Sequence, residues 1–443
     1  MTQVPAPDAR VRNVEGWGRF PAITASIVTP GSASECAESV RTGTNMIARG
    51  LGRSYGDSGL ASLVLDMNRL NRVSLDAASG VAQCEAGASL EDVLRVAIPA
   101  GWFLTVSPGT RFVTIGGAIA GDVHGKNHHV DGGFCRSVRS IDLLLGNGDV
   151  VNTTRDHLAD LFWCTCGGMG LTGVIMGAEI QLRRISSAWI TERSMRVRNL
   201  EELVELFDEH GSTTYSVAWI DSLARGDKLG RSVLMLGEHS DRGSCQFRTG
   251  AELVVPFEMP WWLLSRPVVA TFNALYIRAV PQEGRMREVF YDRFFYPLDR
   301  LRSWNRLYGR QGPLQYQFVI PRSVGIDGLR KVFAEIVKSG RGSFLGVLKV
   351  LGEASPSPLS FPISGYTLAL DFQIDDGVLA LCERLDEIVL DLGGRLYLCK
   401  DARMSSAMFR RSYPRWEFFE KVREQFQATG KFASLQSRRL GLG

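Results

Sequence analysis

Two glycine-rich segments, about sixty residues apart, place the strongest constraint on how this chain can fold. The first follows an apolar run and consists of Arg49, Gly50, Leu51, Gly52, Arg53, Ser54, Tyr55, Gly56 and Asp57. The second contributes Gly109, Thr114, Ile115, Gly116 and Gly117 and continues through Gly121, Asp122, Val123 and His124. Only glycine lets a backbone turn with positive φ and approach a bulky anion closely, so that successive N–H groups converge on phosphate oxygens. The two segments together predict a clamp around a cofactor that carries a pyrophosphate.

Other interpretations of these segments are less favoured. A Rossmann fingerprint requires a strand that leads into Gly-x-Gly-x-x-Gly and then a helix, and neither segment has that form. The lysine–serine pair of a Walker motif is also missing from both. Ordinary tight turns would explain a single glycine segment. The second segment and its histidine-rich continuation favour the cofactor site.

Short strands and helices alternate over the first 185 residues. Asn147-Gly148 separates two strand-like runs and predicts a β-hairpin. Ser34 is expected to cap a helix that runs to Thr42. From about Ser186 the pattern indicates an antiparallel sheet with helices on one face, while residues 237–281 have weak periodicity and are predicted to be loop-rich. The predicted fold class is α+β, and no internal repeat is evident.

Composition limits the classes of function. At 443 residues the chain is long enough for two or three domains. A net charge of +4 without an arginine–lysine run argues against nucleic acid as a partner. The eight cysteines show neither a paired framework nor a zinc-site spacing and fit a reducing compartment. The first residues lack the apolar segment of a secretory signal, so we expect a cytoplasmic or peripheral membrane protein.

The nearest candidate for a membrane segment is the apolar stretch from Leu253 to Ile277. Prolines, Glu258 and Arg266 interrupt it, so a spanning helix is not expected. Two interpretations stay open for this stretch. It is either buried core or an apolar surface, flanked by arginines, that rests on an anionic bilayer.

Five stretches together resemble the flavoprotein family whose FAD-binding domain is shared by vanillyl-alcohol oxidase and sugar-lactone oxidases. They are residues 49–57, 108–129, 167–173, 314–321 and 393–403. The run HGKNHH at 124–129 and the segment around Lys400 are typical of one subgroup, the polyprenylphosphoryl-ribose oxidases. The resemblance implies a two-part FAD-binding domain at 1–187 and an antiparallel-sheet substrate domain at 188–393. A segment at 394–443 would return to the first domain and carry the catalytic lysine.

The resemblance also implies how the cofactor and substrate are held. FAD is expected to bind without a covalent link, because Arg53 lies near the place where many relatives carry the attaching histidine. Ile175 and Tyr397 join the two glycine segments in the implied cofactor site. The implied substrate site consists of Lys126, Trp219, Gln315, Gln317, Lys349, Thr367 and Ala369. The two glutamines alternate on a predicted strand and so face one side, and a lysine such as Lys349 would neutralise a substrate phosphate. Plain sheet-surface positions are the alternative for several of these residues.

Lys400 is the expected catalytic residue. Oxidation of a secondary alcohol removes a hydride from carbon and a proton from oxygen. A lysine held in an apolar, cation-rich site has a lowered pKa and can accept that proton. Without the resemblance, a surface salt bridge would be the better interpretation, since lysine is rarely buried.

The chain departs from the subgroup at two positions, and one further cluster has an alternative interpretation. Ala369 stands where mycobacterial members carry the cysteine to which nitroaromatic inhibitors attach, and Thr367 replaces an asparagine. Turnover is expected to survive both changes. His124, His128 and His129 are close in sequence, but no carboxylate or cysteine set joins them. If they lie in a strand, the last two point opposite ways, so we predict no metal.

The implied function is FAD-dependent oxidation of the C2′ hydroxyl of a polyprenylphosphoryl-β-D-ribose. Formation of the 2′-keto product would be the first half of an epimerisation to the arabinose form, as in arabinan and cell-wall biogenesis. The chain has no nicotinamide fingerprint, so a separate NAD(P)H-dependent short-chain reductase would complete the epimerisation. The alternatives are a soluble alditol or sugar-lactone oxidase that reduces O₂, and a non-catalytic flavin- or lipid-binding protein.

Overall fold

Three large β-sheets follow one another along the chain in the computed structural model, which describes residues 10–282 and 284–443. The strands of the first two sheets are β1 (Arg10–Glu15), β2 (Ala22–Val28), β3 (Met46–Arg49), β4 (Leu63–Asp66), β5 (Val73–Asp76), β6 (Val81–Glu85), β7 (Trp102–Leu104), β8 (Val138–Leu144), β9 (Val150–Thr154) and β10 (Val174–Arg184). The remaining strands are β11 (Trp189–Val197), β12 (Tyr215–Ile220), β13 (Ser232–His239), β14 (Leu253–Val254), β15 (Arg285–Phe290), β16 (Leu301–Arg302), β17 (Pro313–Pro321), β18 (Gly346–Leu351), β19 (Gly365–Gln373) and β20 (Arg395–Leu396).

Helices cover and connect these sheets. They are α1 (Ala33–Thr42), α2 (Leu90–Ala97), α3 (Ile115–Ala120), α4 (His128–Asp131), α5 (Ala159–Thr165), α6 (Leu200–Glu209), α7 (Arg266–Arg278), α8 (Tyr291–Phe295), α9 (Gly325–Ser339), α10 (Asp376–Asp391), α11 (Ser406–Ser412), α12 (Trp416–Gln425) and α13 (Leu435–Leu440). The mixture of helices with largely antiparallel sheets makes the fold α+β, as the sequence predicted.

The first two sheets occupy the chain up to residue 184. The first has the order β1-β2-β4-β3 and is mixed, because β4 pairs in parallel with both β2 and β3. The second has the order β5-β6-β10-β8-β9, with β7 also paired to β10, and is antiparallel. The predicted hairpin is present, since β8 and β9 pair on either side of Gly148, whose φ is +90°.

The third sheet has eight strands in the order β15-β11-β13-β12-β18-β19-β17-β20. Every neighbouring pair in it is antiparallel. Helices α9 and α10 pack together beside it, and their apolar residues join the main core. Strand β17, next to the short edge strand β20, is buried at every position but the last, because both of its faces are covered.

The segment after β20 leaves the third sheet and packs against the first. The Met46 amide donates to the Lys431 carbonyl at 3.0 Å, and the Ala433 amide donates to the Met46 carbonyl at 2.9 Å. Arg439 pairs with Asp57 at 2.8 Å. These contacts, together with the break between β10 and β11, are compatible with domain limits at 187 and 393, which stay predictions.

Two local expectations were wrong and one was incomplete. Residues 237–281 are loop-rich but also contain the 13-residue helix α7, whose buried positions repeat at helical spacing (Val269, Asn273 and Ile277). Ser32, not Ser34, caps α1, since its hydroxyl accepts from the Glu35 amide. His128 and His129 lie in the short helix α4, so the argument from strand alternation does not hold. Within the described part of the chain, no helix is both long and apolar enough to cross a membrane.

Candidate active site

The first glycine segment is held in place by two other parts of the chain. A Cβ on Gly50 would lie 2.2 Å from Thr114 Oγ1, so only glycine lets the two predicted cofactor loops approach this closely. A Cβ on Gly56 would lie 1.8 Å from the Asp401 carbonyl oxygen. The carboxylate of Asp57 accepts two hydrogen bonds from Arg439, at 3.1 and 2.8 Å. The segment is therefore fixed by the second loop on one side and by the C-terminal segment on the other.

The two arginines of this segment have different surroundings. Arg49 donates to the Glu15 carbonyl at 2.6 Å and to the Gly59 carbonyl at 3.2 Å. Arg53 stacks on the Trp17 ring, with its guanidinium carbon 4.4 Å from the ring centroid. Burial lowers the pKa of both side chains, yet a guanidinium keeps its charge in proteins. The hydrogen bonds of Arg49 therefore hold the loop in place, and both arginines carry positive charge next to it.

The second loop is organised by Asp122, which is fully buried and has a φ of +35°. Its carboxylate accepts from the Cys135 amide at 3.0 Å and from the Ser360 hydroxyl at 2.6 Å. The neighbouring Gly121 carbonyl accepts from the Tyr397 hydroxyl at 3.0 Å. Asp122 thus contributes by fixing the turn that presents Gly121 and His124, since its oxygens already bond to protein donors.

His124 is buried and is held neutral. Its Nε2 lies 3.0 Å from the side-chain nitrogen of Gln317, which can only donate, so the ring proton is on Nδ1. Burial and the nearby Lys349 place the pKa of His124 well below its usual range. The Tyr397 ring lies 5.1 Å away between centroids. Nδ1 is buried and has no partner among residues 10–282 and 284–443, which leaves it available to a bound group.

One face of the third sheet gathers the predicted substrate residues. Gln317, Ala369, Val347 and Trp219 are directly paired across β17, β19, β18 and β12, and directly paired residues share a face. The alternating positions along these strands lie on the same face. They add Gln315, Asp371, Thr367 and Lys349. The Thr367 hydroxyl lies 3.2 Å from the side-chain nitrogen of Gln317, so this wall is internally hydrogen-bonded.

Lys400 lies where this wall meets the first glycine segment. Its Nζ is 4.0 Å from the centroid of the Tyr55 ring, and the Tyr55 amide donates to the Cys399 carbonyl at 3.0 Å. Lys400, Tyr397, Gln315 and Gln317 line one recess. Burial lowers the pKa of Lys400 from 10.5 to about 8, against the opposing effect of the Asp371 carboxylate. Lys400 therefore has the lowered pKa that a proton acceptor needs near neutral pH.

Asp371 is a candidate site residue that sequence reasoning missed. It is buried, and burial raises its pKa to about 7. The Gln315 side chain donates to one carboxylate oxygen. The other oxygen is buried without a partner in the described part of the chain. The signal was available in the sequence, because Asp371 continues the alternation of Thr367 and Ala369 along one predicted strand.

Two further lysines lie near Lys400. Burial lowers the pKa of Lys349 to about 7, and repulsion from Lys400 and Lys126 contributes. Burial also lowers the pKa of Lys126 to about 8. Lys126 donates to the Phe294 carbonyl, and its Nζ lies 4.1 Å from the centroid of that residue's ring. Positive charge from two neighbouring lysines at Lys349 favours an anion as the bound group.

The remaining candidates lie further from this recess or serve other contacts. Trp219 is on the substrate face, but its ring packs against Tyr276 of α7, 4.6 Å away. Ile175 is buried in β10, paired with Leu143. His128 Nδ1 accepts from the Gly352 amide at 3.0 Å, and His129 bonds to the Thr213 carbonyl at 2.8 Å. These two histidines therefore connect α4 to the loops that hold Gly352 and Thr213.

Comparison with known proteins gives the relatives of this chain. The FAD binding domain family matches residues 24–154. Decaprenylphosphoryl-beta-D-ribose oxidase of Mycolicibacterium smegmatis is 37% identical over 97% of this chain and 98% of the relative. An uncharacterized protein of Streptomyces coelicolor is 31% identical over 80% of this chain and 100% of the relative. Delta(24)-sterol reductase of Rattus norvegicus is 26% identical over 40% of this chain and 33% of its own length.

The first of these matches extends over nearly the whole of both chains, through the FAD-binding region, the third sheet and the Lys400 segment. The sterol reductase match covers less than half of this chain, so similarity to that protein is confined to one part. The protein therefore belongs to the decaprenylphosphoryl-β-D-ribose oxidase family of FAD-binding oxidoreductases.

Proposed function

We propose that this protein is an FAD-dependent oxidase that converts the C2′ hydroxyl of a polyprenylphosphoryl-β-D-ribose to a ketone. The observation that carries the proposal is that Lys349 lies close enough to Lys400 and Lys126 for their charges to lower its pKa, while Lys400 contacts Tyr55 of the first glycine segment. The lysines supply positive charge for a phosphate, and the glutamine-lined wall supplies hydrogen-bonding groups for a sugar. A neutral alditol or lactone gives no reason for such a cluster, so the soluble alditol oxidase alternative is not favoured.

The residues of the two loops fit FAD as the cofactor. His124 Nδ1 is a buried donor without a protein partner in the described ranges. A Cβ at Gly109 would meet nothing within 4 Å, so that backbone is open to a ligand. Arg49 and Arg53 carry positive charge in the first glycine segment, which would suit the pyrophosphate of FAD. When bound, FAD supplies the flavin ring that accepts a hydride from the substrate carbon. No histidine lies within residues 49–57, which supports a non-covalent link.

Lys400 is proposed to receive the hydroxyl proton at Nζ. Its pKa of about 8 leaves a fraction of about one tenth in the neutral form at pH 7. Tyr55 positions the ammonium by contact with its ring face, and Asp371 raises the pKa that burial lowers. Lys126 and Lys349 are proposed to hold the substrate phosphate. Gln315 and Gln317 are proposed to orient the sugar from the sheet face.

A second enzyme is required if the product is to reach the arabinose form. The chain carries no nicotinamide-binding fingerprint. We therefore assign the reduction of the 2′-keto sugar to a separate NAD(P)H-dependent short-chain reductase. This assignment makes the lipid-linked keto sugar a substrate passed between two proteins.

Anaerobic bleaching of the flavin tests the proposed substrate class. Farnesylphosphoryl-β-D-ribose, the corresponding arabinose epimer, ribose 5-phosphate and free alditols would each be mixed with the holoenzyme. We expect only the prenylphosphoryl ribose to bleach the flavin rapidly. Equal bleaching by free alditols would replace the proposal with the alditol oxidase alternative.

A further inference from the structure

Two buried oxygen atoms near Lys400 have no hydrogen-bond partner within residues 10–282 and 284–443. They are Oδ2 of Asp371 and the hydroxyl oxygen of Tyr308. Asp371 is 1% exposed and Tyr308 is 2% exposed, so neither oxygen is satisfied by bulk solvent. A carboxylate oxygen accepts hydrogen bonds and a tyrosine hydroxyl donates one, so the two groups are complementary. A buried polar atom without a partner costs stability, and two complementary ones in one place require an explanation.

The fold brings these two side chains together at one end of β17 and β19. Asp371 lies on β19 and pairs with Gln315 of β17. Tyr308 precedes β17, and the residue after it, Gly309, lies against the end of β19. A Cβ on Gly309 would be 3.7 Å from the side-chain nitrogen of Gln373. Burial and the charge of Asp371 both raise the pKa of Tyr308, so the two unpartnered oxygens belong to one buried cluster.

The titratable groups that face Asp371 come from three other parts of the chain. They are Lys400 after β20, Tyr55 of the first glycine segment, and Tyr308. Burial raises the pKa of Asp371 to about 7, against the hydrogen bond from Gln315 and the charge of Lys400. Asp371 is therefore about half ionised at pH 7. One further hydrogen-bond donor would shift this balance toward the carboxylate.

We propose that one water molecule bridges the Tyr308 hydroxyl to Asp371 Oδ2 and that this contact keeps Asp371 ionised beside Lys400. The two atoms make no direct hydrogen bond. A water that accepts from the hydroxyl and donates to the carboxylate satisfies both of them. Tyr308 is thus a positioning residue, which acts on Lys400 through Asp371. The inference rests on the proposed function, in which Lys400 receives the hydroxyl proton.

Tyr308→Phe tests the proposal, because it removes the hydroxyl and keeps the ring. Without this donor, Asp371 stays protonated to a higher pH and raises the pKa of Lys400 less. We expect the pH inflection of flavin reduction to move from about 8 to about 7. The neutral fraction of Lys400 at pH 7 then rises from about one tenth to about one half, so flavin reduction at pH 7 becomes about fivefold faster. At pH 9.5 the rate should stay within about threefold of wild type.

Two control variants separate positioning from a structural role. Tyr215→Phe removes another buried hydroxyl that has no partner in the described ranges and should leave the inflection unchanged. Asp371→Asn/Tyr308→Phe should have the same inflection as Asp371→Asn alone, because Tyr308 acts only through Asp371. An inflection of Tyr308→Phe at the wild-type pH would overturn the proposal, even if the rate falls at every pH. A further shift of the inflection in the double variant would overturn it as well.

A measurement without substrate keeps this inference apart from the proposed function. Acetic anhydride acetylates neutral amines, so acetylation of Lys400 in the holoenzyme at increasing pH follows the loss of its proton. Mass spectrometry would compare it with acetylation of the exposed Lys331. We expect the titration of Lys400 to move to lower pH in Tyr308→Phe. If it moves while no prenylphosphoryl ribose bleaches the flavin, the role of Tyr308 stands and the substrate is wrong. Normal bleaching with an unmoved titration rejects the role of Tyr308 and leaves the proposed function intact.

Discussion

Replacing Lys349 with methionine should stabilise the substrate-free protein at neutral pH and should weaken its binding of substrate. The pKa of Lys349 falls from 10.5 to about 7 because of burial and of repulsion from Lys400 and Lys126. A tenfold change in the protonation equilibrium corresponds to ~1.4 kcal/mol. The lowered pKa of Lys349 can therefore cost the folded protein at most ~5 kcal/mol of stability. Lys349 is only partly buried, so solvent screening reduces the expected gain to about 2 kcal/mol. Methionine has a similar shape and no charge, and it removes this cost.

The sign of the pH dependence follows from proton binding. Between pH 7 and 10.5 the unfolded chain holds a proton on Lys349 more strongly than the folded chain does. The destabilisation of the folded wild-type protein by Lys349 is therefore full below pH 7. It decreases above pH 7 and is absent above pH 10.5. The stability difference between Lys349→Met and wild type should be largest near pH 6.5 and should shrink toward pH 9.5.

Urea unfolding without substrate, at pH 6.5, 8 and 9.5, measures this difference in the free energy of unfolding. Lys331→Met, on an exposed position of α9, is the matched control and should change stability by less than about 0.5 kcal/mol at each pH. A Lys349→Met protein that is no more stable than wild type at pH 6.5 would refute the reasoning. So would a difference that does not change with pH. The same variant should need a higher substrate concentration for half-maximal flavin reduction.

The other predictions concern the cofactor and the neighbours of Lys349. Acid precipitation should release FAD into the supernatant, and flavin that stays on the precipitated chain would contradict a non-covalent link. Lys400→Ala should retain FAD but slow flavin reduction by about 10²–10⁴-fold; a rate within about twofold of wild type would remove Lys400 from catalysis. Asp371→Asn should move the pH inflection of that rate below about 8, because a carboxylate that raises the pKa of Lys400 is lost; an unmoved inflection would show that the two groups do not interact. Nitroaromatic compounds should leave no mass adduct on wild type and should form one on Ala369→Cys, because a methyl group is not a nucleophile.

Much of the fold could be predicted from local sequence patterns. The hairpin at Asn147-Gly148 and the strands that carry Gln315, Gln317 and Thr367 were predictable, because turn residues and alternation depend on neighbours in sequence. Helix α7 was missed, since Pro267 and a polar Asn273 weaken its apolar pattern. Asn273 is buried only because Asp221, which is 52 residues earlier, accepts its hydrogen bond. Such a partner cannot be identified from periodicity.

The candidate site was predictable where residues share a strand or a motif. The cross-strand row from Gln317 to Trp219 depends on strand order, which the sequence alone did not determine. The contact between Asp57 and Arg439 was not predictable either, because the two residues are 382 positions apart in sequence. The pKa of Lys400 likewise depends on Asp371, which a motif around Lys400 does not contain.

The contact between Asp57 and Arg439 bears on how the protein is made. A ribosome adds about 5–20 residues per second, so the 382 residues between them take roughly 20–80 s to synthesise. During that time the first loop has emerged, but the arginine that fixes it does not yet exist. We therefore expect stable retention of FAD to be one of the last events of biosynthesis, after the sheets have formed. Nascent chains that stall before Arg439 should be folded in large part and yet colourless.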